Sequence, residues 1–138
     1  MVLEPKNSDF KARVEKYLLK QNFMHHIGFK LHTIEPGYTE GELKMEPLHH
    51  QQDGFAHGGL VATVADIVAG FAAYTLVGEK EHVVTGEIKI SYFKKGMGSL
   101  LRARGTVIKP GKRLNFCEAE VYSVEEMLRR LLLKLLLP

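Results

Sequence analysis

The sequence predicts an α+β domain in which one antiparallel sheet wraps around a single long helix. Three observations lead there. Residues 58–77 form an apolar run broken by one charged residue, Asp66, and no other stretch in the chain reads as an all-apolar helix of that kind. Short segments rich in β-branched and aromatic residues flank it on both sides. The breaks between the later segments, at 96–98 and 110–112, are hairpin-short, which excludes a parallel doubly wound sheet for that half. A sheet needs a cover for its apolar face, and this helix is the element able to supply it.

Taken in order, the chain opens with a predicted helix over about residues 7–20. Asn7 or Ser8 can cap it, and Phe10, Val14, Tyr17 and Leu18 share one face at helical spacing. After a short connector, Gly28 to Glu35 and Tyr38 to Glu46 read as strands joined at Pro36-Gly37, a strong turn signal. Leu43 and Met45 alternate with Glu42, Lys44 and Glu46, so the second strand has one wet face. A polar loop over 47–57 precedes the central helix, predicted over about 58–77. Val83 to Phe93, Leu100 to Ile108 and Leu114 to Val124 then read as three more strands. No repeat or linker divides the chain, so residues 1–138 are read as one domain. The leucine-rich tail, 125–138, matches helix and strand templates equally and is left unassigned.

Composition narrows the function classes. A chain of 138 residues can bury a sufficient core without metals or disulfides. The net charge of +3 is too mild to argue for nucleic acid, and no nucleic-acid motif accompanies it. Cys117 is the single cysteine, which excludes an intrachain disulfide and suits a reducing compartment. The first residues lack the basic start and apolar core of a signal peptide, and a cytoplasmic location is expected. Residues 58–77 are long enough to span a bilayer, but they are rich in Gly and Ala and lack basic flanks. A central Asp costs about 3 kcal/mol on insertion scales, so a buried helix in a protein without membrane association is the expectation. The adjacent pairs His25-His26 and His49-His50 point their side chains apart, and no His-x-x-x-His or Cys cluster exists. Neither a metal nor another cofactor is expected.

The chemistry lies in the central helix. On a wheel of about 100° per residue, the positions nearest Asp66 are Gly59, Ala62, Thr63, Ala69, Gly70 and Ala73, all small. The opposite side carries Leu60, Val61, Val64, Ile67, Val68 and Phe71. A smooth face centred on an acid admits a second helix or a ligand at close range. An unpartnered buried carboxylate is very costly, so Asp66 needs hydrogen bonds, a solvated cleft or a shifted titration. It either fixes packing or performs acid–base or nucleophilic work.

The helix begins His57-Gly58-Gly59, where unobstructed N–H groups and the helix dipole favour negative charge. Such a terminus can hold an oxyanion, or it can be a simple flexible turn. Gly58 and Asp66 are eight residues apart, about 12 Å along a helix. A reacting carbonyl needs its attacking group and its oxyanion donors both within about 3 Å, which one copy of the helix cannot provide. Two antiparallel copies meeting on their small faces can. The expected assembly is a symmetric dimer with two composite sites.

The run His57-Gly58-Gly59 followed by Ala65-Asp66 resembles the hotdog-fold thioesterases of the phenylacetate-degradation type. The polar loop before it, Thr85 with Glu87 to Phe93 after it, and Lys109-Pro110-Gly111-Lys112 at a later turn extend the likeness over about residues 20–124. The resemblance implies a hotdog fold and hydrolysis of acyl-CoA thioesters by a homodimer or a dimer of dimers. It implies Asp66 as general base or nucleophile, and the Gly58 N–H as the group polarising the thioester carbonyl. It places a helping side-chain amide at Gln51, where the family usually has Asn, and a water-orienting hydroxyl at Thr85. His57 and Gly59 fall beside the substrate at the helix start. Lys94-Lys95 and Lys112-Arg113 are the candidates to meet CoA phosphates at a cleft mouth.

Two other readings use the same residues. One is a non-catalytic module that binds or senses acyl-CoA. The other is a hotdog dehydratase, which the position of His57 outside the helix disfavours.

Overall fold

The computed structural model describes residues 3–124. Four strands, β1 (Phe29–Glu35), β2 (Tyr38–Lys44), β3 (Leu100–Lys109) and β4 (Phe116–Ser123), form an antiparallel sheet in the order β1-β2-β3-β4. Three α-helices accompany them: α1 (Phe10–Leu18), α2 (Asn22–Ile27) and the central α3 (Gly58–Tyr74). This is the expected α+β arrangement, a sheet against one long helix.

The alternation read from the sequence sets which residues turn inward. Leu43 of β2, Leu101 and Ala103 of β3 and Phe29 of β1 are buried against Leu60, Val64 and Val68 of α3. Full burial of each large side chain is worth about 1.5–3 kcal/mol. The helix backbone lies directly on the sheet at the cross-strand pair Thr39 and Gly105. Thr39 Oγ1 donates to the Val68 carbonyl at 2.7 Å, and any Cβ at Gly105 would run into the backbone of Val68 and Ala69. A small residue there is therefore a condition of the close approach. At the other end, Thr75 Oγ1 donates to the Ala72 carbonyl (2.7 Å) and accepts the Gly37 N–H (2.8 Å). That pair ties the end of α3 to the Pro36-Gly37 turn between β1 and β2.

Several expectations shift. Helix α1 begins at Phe10, and neither Asn7 nor Ser8 caps it; Asn7 Oδ1 accepts the Asp9 N–H (2.9 Å) in a local turn before the helix. The connector contains α2, and Gly28, at φ +82°, ends that helix rather than opening β1. Helix α3 ends at Tyr74, short of residue 77.

The largest difference concerns Val83 to Phe93. This segment pairs with none of the described strands, and its residues are exposed from Val84 onward. Alternation gives a segment two faces, but a strand also needs a neighbour for its N–H and C=O groups. The tail 125–138 lies outside the described residues. Among those residues, no helix is long and apolar enough to cross a membrane.

Candidate active site

The polar loop and the start of α3 are built around histidines. His49 is buried; its Nδ1 accepts the Glu46 N–H (2.9 Å), so its Nε2 carries the proton and donates to the Ile27 carbonyl (2.7 Å). Its own carbonyl accepts the His57 N–H at 2.9 Å, which sets the chain direction into α3. His57 is the N-cap, and its Nδ1 accepts the Gly59 N–H at 2.8 Å. The Gly59 donor is thereby occupied, whereas the Gly58 N–H makes no hydrogen bond among the described residues. Of the two glycines, Gly58 is the one whose donor stands open at the positive end of the helix dipole.

Gly58 faces a cavity of about 430 Å³, lined among others by Phe55, Val61, Tyr92, Lys94, Lys95 and Tyr122. Tyr92 Oη donates to the Gly58 carbonyl (2.8 Å), fixing the plane of the peptide that follows Gly58. Lys95 lies 5.3 Å over the Phe55 ring. The sequence placed Tyr92 in the family-like segment Glu87 to Phe93 but gave it no role, because its partner lies 34 positions earlier. Gln51 sits in the loop above, where its Oε1 accepts the Asp53 N–H. Its Nε2 is the part of the amide left to donate.

Asp66 lies two turns further along α3. It is partly exposed and accepts a 2.6 Å hydrogen bond from Thr85 Oγ1. Of the ways its charge can be accommodated, the hydrogen bond and the cleft are both present. The cleft is a second cavity, of about 340 Å³, lined among others by Tyr17, Ile67, Gly70, Tyr74, His82 and Thr85.

The wheel is largely reproduced. Ala62, Thr63, Asp66, Ala69 and Gly70 keep some exposure, while Leu60, Val64, Val68 and Phe71 are buried. Ala73 is the exception on the small face, buried in a cluster that Leu3, Val83 and Cys117 pack against. Burial also raises the Cys117 thiol above its ordinary range, which suits packing rather than nucleophilic attack.

The residues singled out thus fall into three places. Gly58, Lys94 and Lys95 share one cavity; Asp66 and Thr85 share another. Lys112 and Arg113 lie in the β3–β4 turn, at the opposite end of that hairpin from Leu101, Val121 and Ser123, which line the Gly58 cavity. Among the described residues, no group of three or more His, Cys, Asp or Glu side chains is placed to hold a metal ion.

Comparison with known proteins bears on the family and the fold. Residues 53–129 match the model of the thioesterase superfamily. A crystal structure of a thioesterase family protein from Silicibacter pomeroyi superposes with a TM-score of 0.81 at 32% identity, over 83% of this chain and 84% of that one. A point mutant of the phenylacetic acid degradation protein PaaI from Thermus thermophilus gives a TM-score of 0.66 at 26% identity, over 73% and 85% of the two chains. Among curated proteins, the proofreading thioesterase EntH of Klebsiella pneumoniae is 25% identical, over 70% of this chain and 71% of its own.

Proposed function

Since the chain belongs to the thioesterase superfamily and is a thioester hydrolase of hotdog fold, we propose that it cleaves acyl-CoA thioesters at two composite sites of a homodimer. Asp66 of one protomer acts as general base or nucleophile, and the Gly58 N–H of the other polarises the carbonyl. Thr85 orients the carboxylate and the attacking water. The Gln51 amide supplements the oxyanion donors, and Lys94 and Lys95 meet CoA phosphate at the mouth of the Gly58 cavity. His57 and Gly59 position the helix start, and any part played by Lys112 and Arg113 falls at the far end of the hairpin.

The observation that carries this reading is the pairing of an acid and an open amide on one helix, each at its own cavity and about 12 Å apart. A thioester is already activated, so an aligned nucleophile and an oxyanion site suffice without metal. The PaaI relative, a phenylacetic acid degradation protein, brings phenylacetyl-type acyl groups into consideration.

A thiol-release assay with acyl-CoAs tests the proposal. Asp66→Asn is expected to lower kcat by about a thousandfold, within the range for a lost acid–base group, with an unchanged melting temperature. Near-normal turnover in that variant contradicts the role of Asp66. Tight acyl-CoA binding without thiol release from the unaltered protein contradicts acyl-CoA as its substrate and favours a binding role.

A further inference from the structure

The Asp66 cavity is lined at one end by an aromatic cluster that the chemistry of hydrolysis does not need. The Tyr17 ring from α1 packs on the Tyr74 ring of α3 at 5.3 Å between centroids, and the His82 ring stands edge-on to Tyr17 at 6.2 Å. Tyr74 Oη and His82 Nδ1 are hydrogen-bonded at 2.8 Å. The Phe71 ring lies 6.1 Å from that of Tyr74.

This cluster is held from behind. Arg13 is buried at 9% exposure, with its guanidinium 4.7 Å over the Tyr74 ring and 5.6 Å over that of Tyr17. The same guanidinium donates to the carbonyls of Gly78 and Glu81. The Glu81 carboxylate accepts the Gly78 N–H (2.7 Å) and pairs with Lys6 at 3.1 Å. A buried cation satisfied by carbonyls and ring faces is a rigid fastener. It joins α1, the end of α3 and the 78–82 loop.

We infer that the Tyr17–Tyr74–His82 cluster is the stop that sets acyl-chain length, restricting the enzyme to short, compact acyl groups. The inference rests on the hydrolase reading above and adds a specificity determinant to it. Asp66 and Tyr74 are eight residues apart on α3, about 12 Å along the axis. Allowing about 3 Å between carboxylate and carbonyl and about 3.5 Å between chain end and ring leaves roughly 5–6 Å. With bonds of about 1.5 Å, an extended chain advances about 1.3 Å per carbon, so some four or five carbons fit beyond the carbonyl. Gly70, midway between Asp66 and Tyr74 on α3, has no atom of the described residues within 4 Å of where its Cβ would stand.

The test measures kcat/KM for acetyl-, butyryl-, hexanoyl-, octanoyl-, dodecanoyl- and palmitoyl-CoA on the full chain. The unaltered protein is expected to favour butyryl over dodecanoyl by at least about tenfold. Tyr17→Ala should raise the dodecanoyl-to-butyryl ratio about tenfold, whereas Tyr17→Phe, which keeps the ring, should hold the original ratio. Gly70→Ala narrows the passage from the opposite wall and should lower the hexanoyl-to-acetyl ratio several-fold. It decides the matter if Tyr17→Ala loses its fold. A preference for dodecanoyl in the unaltered protein, or ratios that neither variant moves, overturns the stop while leaving hydrolysis intact. No release at any chain length overturns the hydrolase reading and the stop together.

Discussion

Gly58 and Asp66 sit on the same helix, yet each has the surroundings the other lacks. The Gly58 end has an open amide, two lysines and a tyrosine that fixes the following peptide, but among the described residues no carboxylate lines its cavity. The Asp66 end has an oriented carboxylate and an aromatic-walled cavity, but the lysines lie at the other cavity. The separation is built into the helix at 1.5 Å per residue, and no side-chain rotation removes it. In the proposed mechanism each end is half of a catalytic site, completed by a second copy.

The comparison can be broken most sharply at Gly58. Gly58→Pro deletes the N–H but suits the first helical position, and His57, at φ −61° and ψ 135°, already has the extended conformation that precedes proline. The expected result is a fall in kcat of about a hundredfold or more, the typical cost of one oxyanion donor, with helix content unchanged. Gly58→Ala keeps the N–H, and its Cβ would meet Tyr92 at an ordinary 3.6 Å, so a far smaller loss is expected. Equal losses in both variants would mean that bulk, not the amide, matters at that end.

At the acid end, Thr85→Val removes the 2.6 Å hydrogen bond to Asp66 at nearly constant volume. About a tenfold fall in kcat is expected, well below the effect of Asp66→Asn, because the carboxylate survives but loses its orientation. A KM effect alone would assign Thr85 to binding. The smallest effect is expected from Tyr92→Phe, which frees the Gly58 carbonyl and costs about 1 kcal/mol of stability, read by thermal melting, with a few-fold loss of kcat.

The half-sites were unequally legible. Asp66 and the two glycines stand out because a single charge in a long apolar run and a glycine pair at a helix start are both local patterns. The small face followed from the wheel, and it failed only at Ala73, which is buried in a cluster that Leu3, Val83 and Cys117 pack against. Thr85 came from family likeness, since nothing local ties it to a residue 19 positions earlier. The contact of Tyr92 with Gly58 and the joining of Tyr17, Tyr74 and His82 into one cluster were invisible, because both depend on partners brought together by the fold. Val83 to Phe93 shows the opposite failure. Its β-branched and aromatic content is a sound local signal, yet pairing is a property of neighbours, and the described strands supply none.

The central claim is that each site is shared between two chains, and mixing two inactive variants tests it most directly. When Asp66→Asn and Gly58→Pro are co-produced with different tags, about half of the dimers formed carry one variant of each kind. Each such dimer holds one site with both lesions and one with neither. The account predicts that the mixture recovers about a quarter of the unaltered activity, concentrated in the doubly tagged fraction. Stable mixed dimers as inactive as the parents would contradict it.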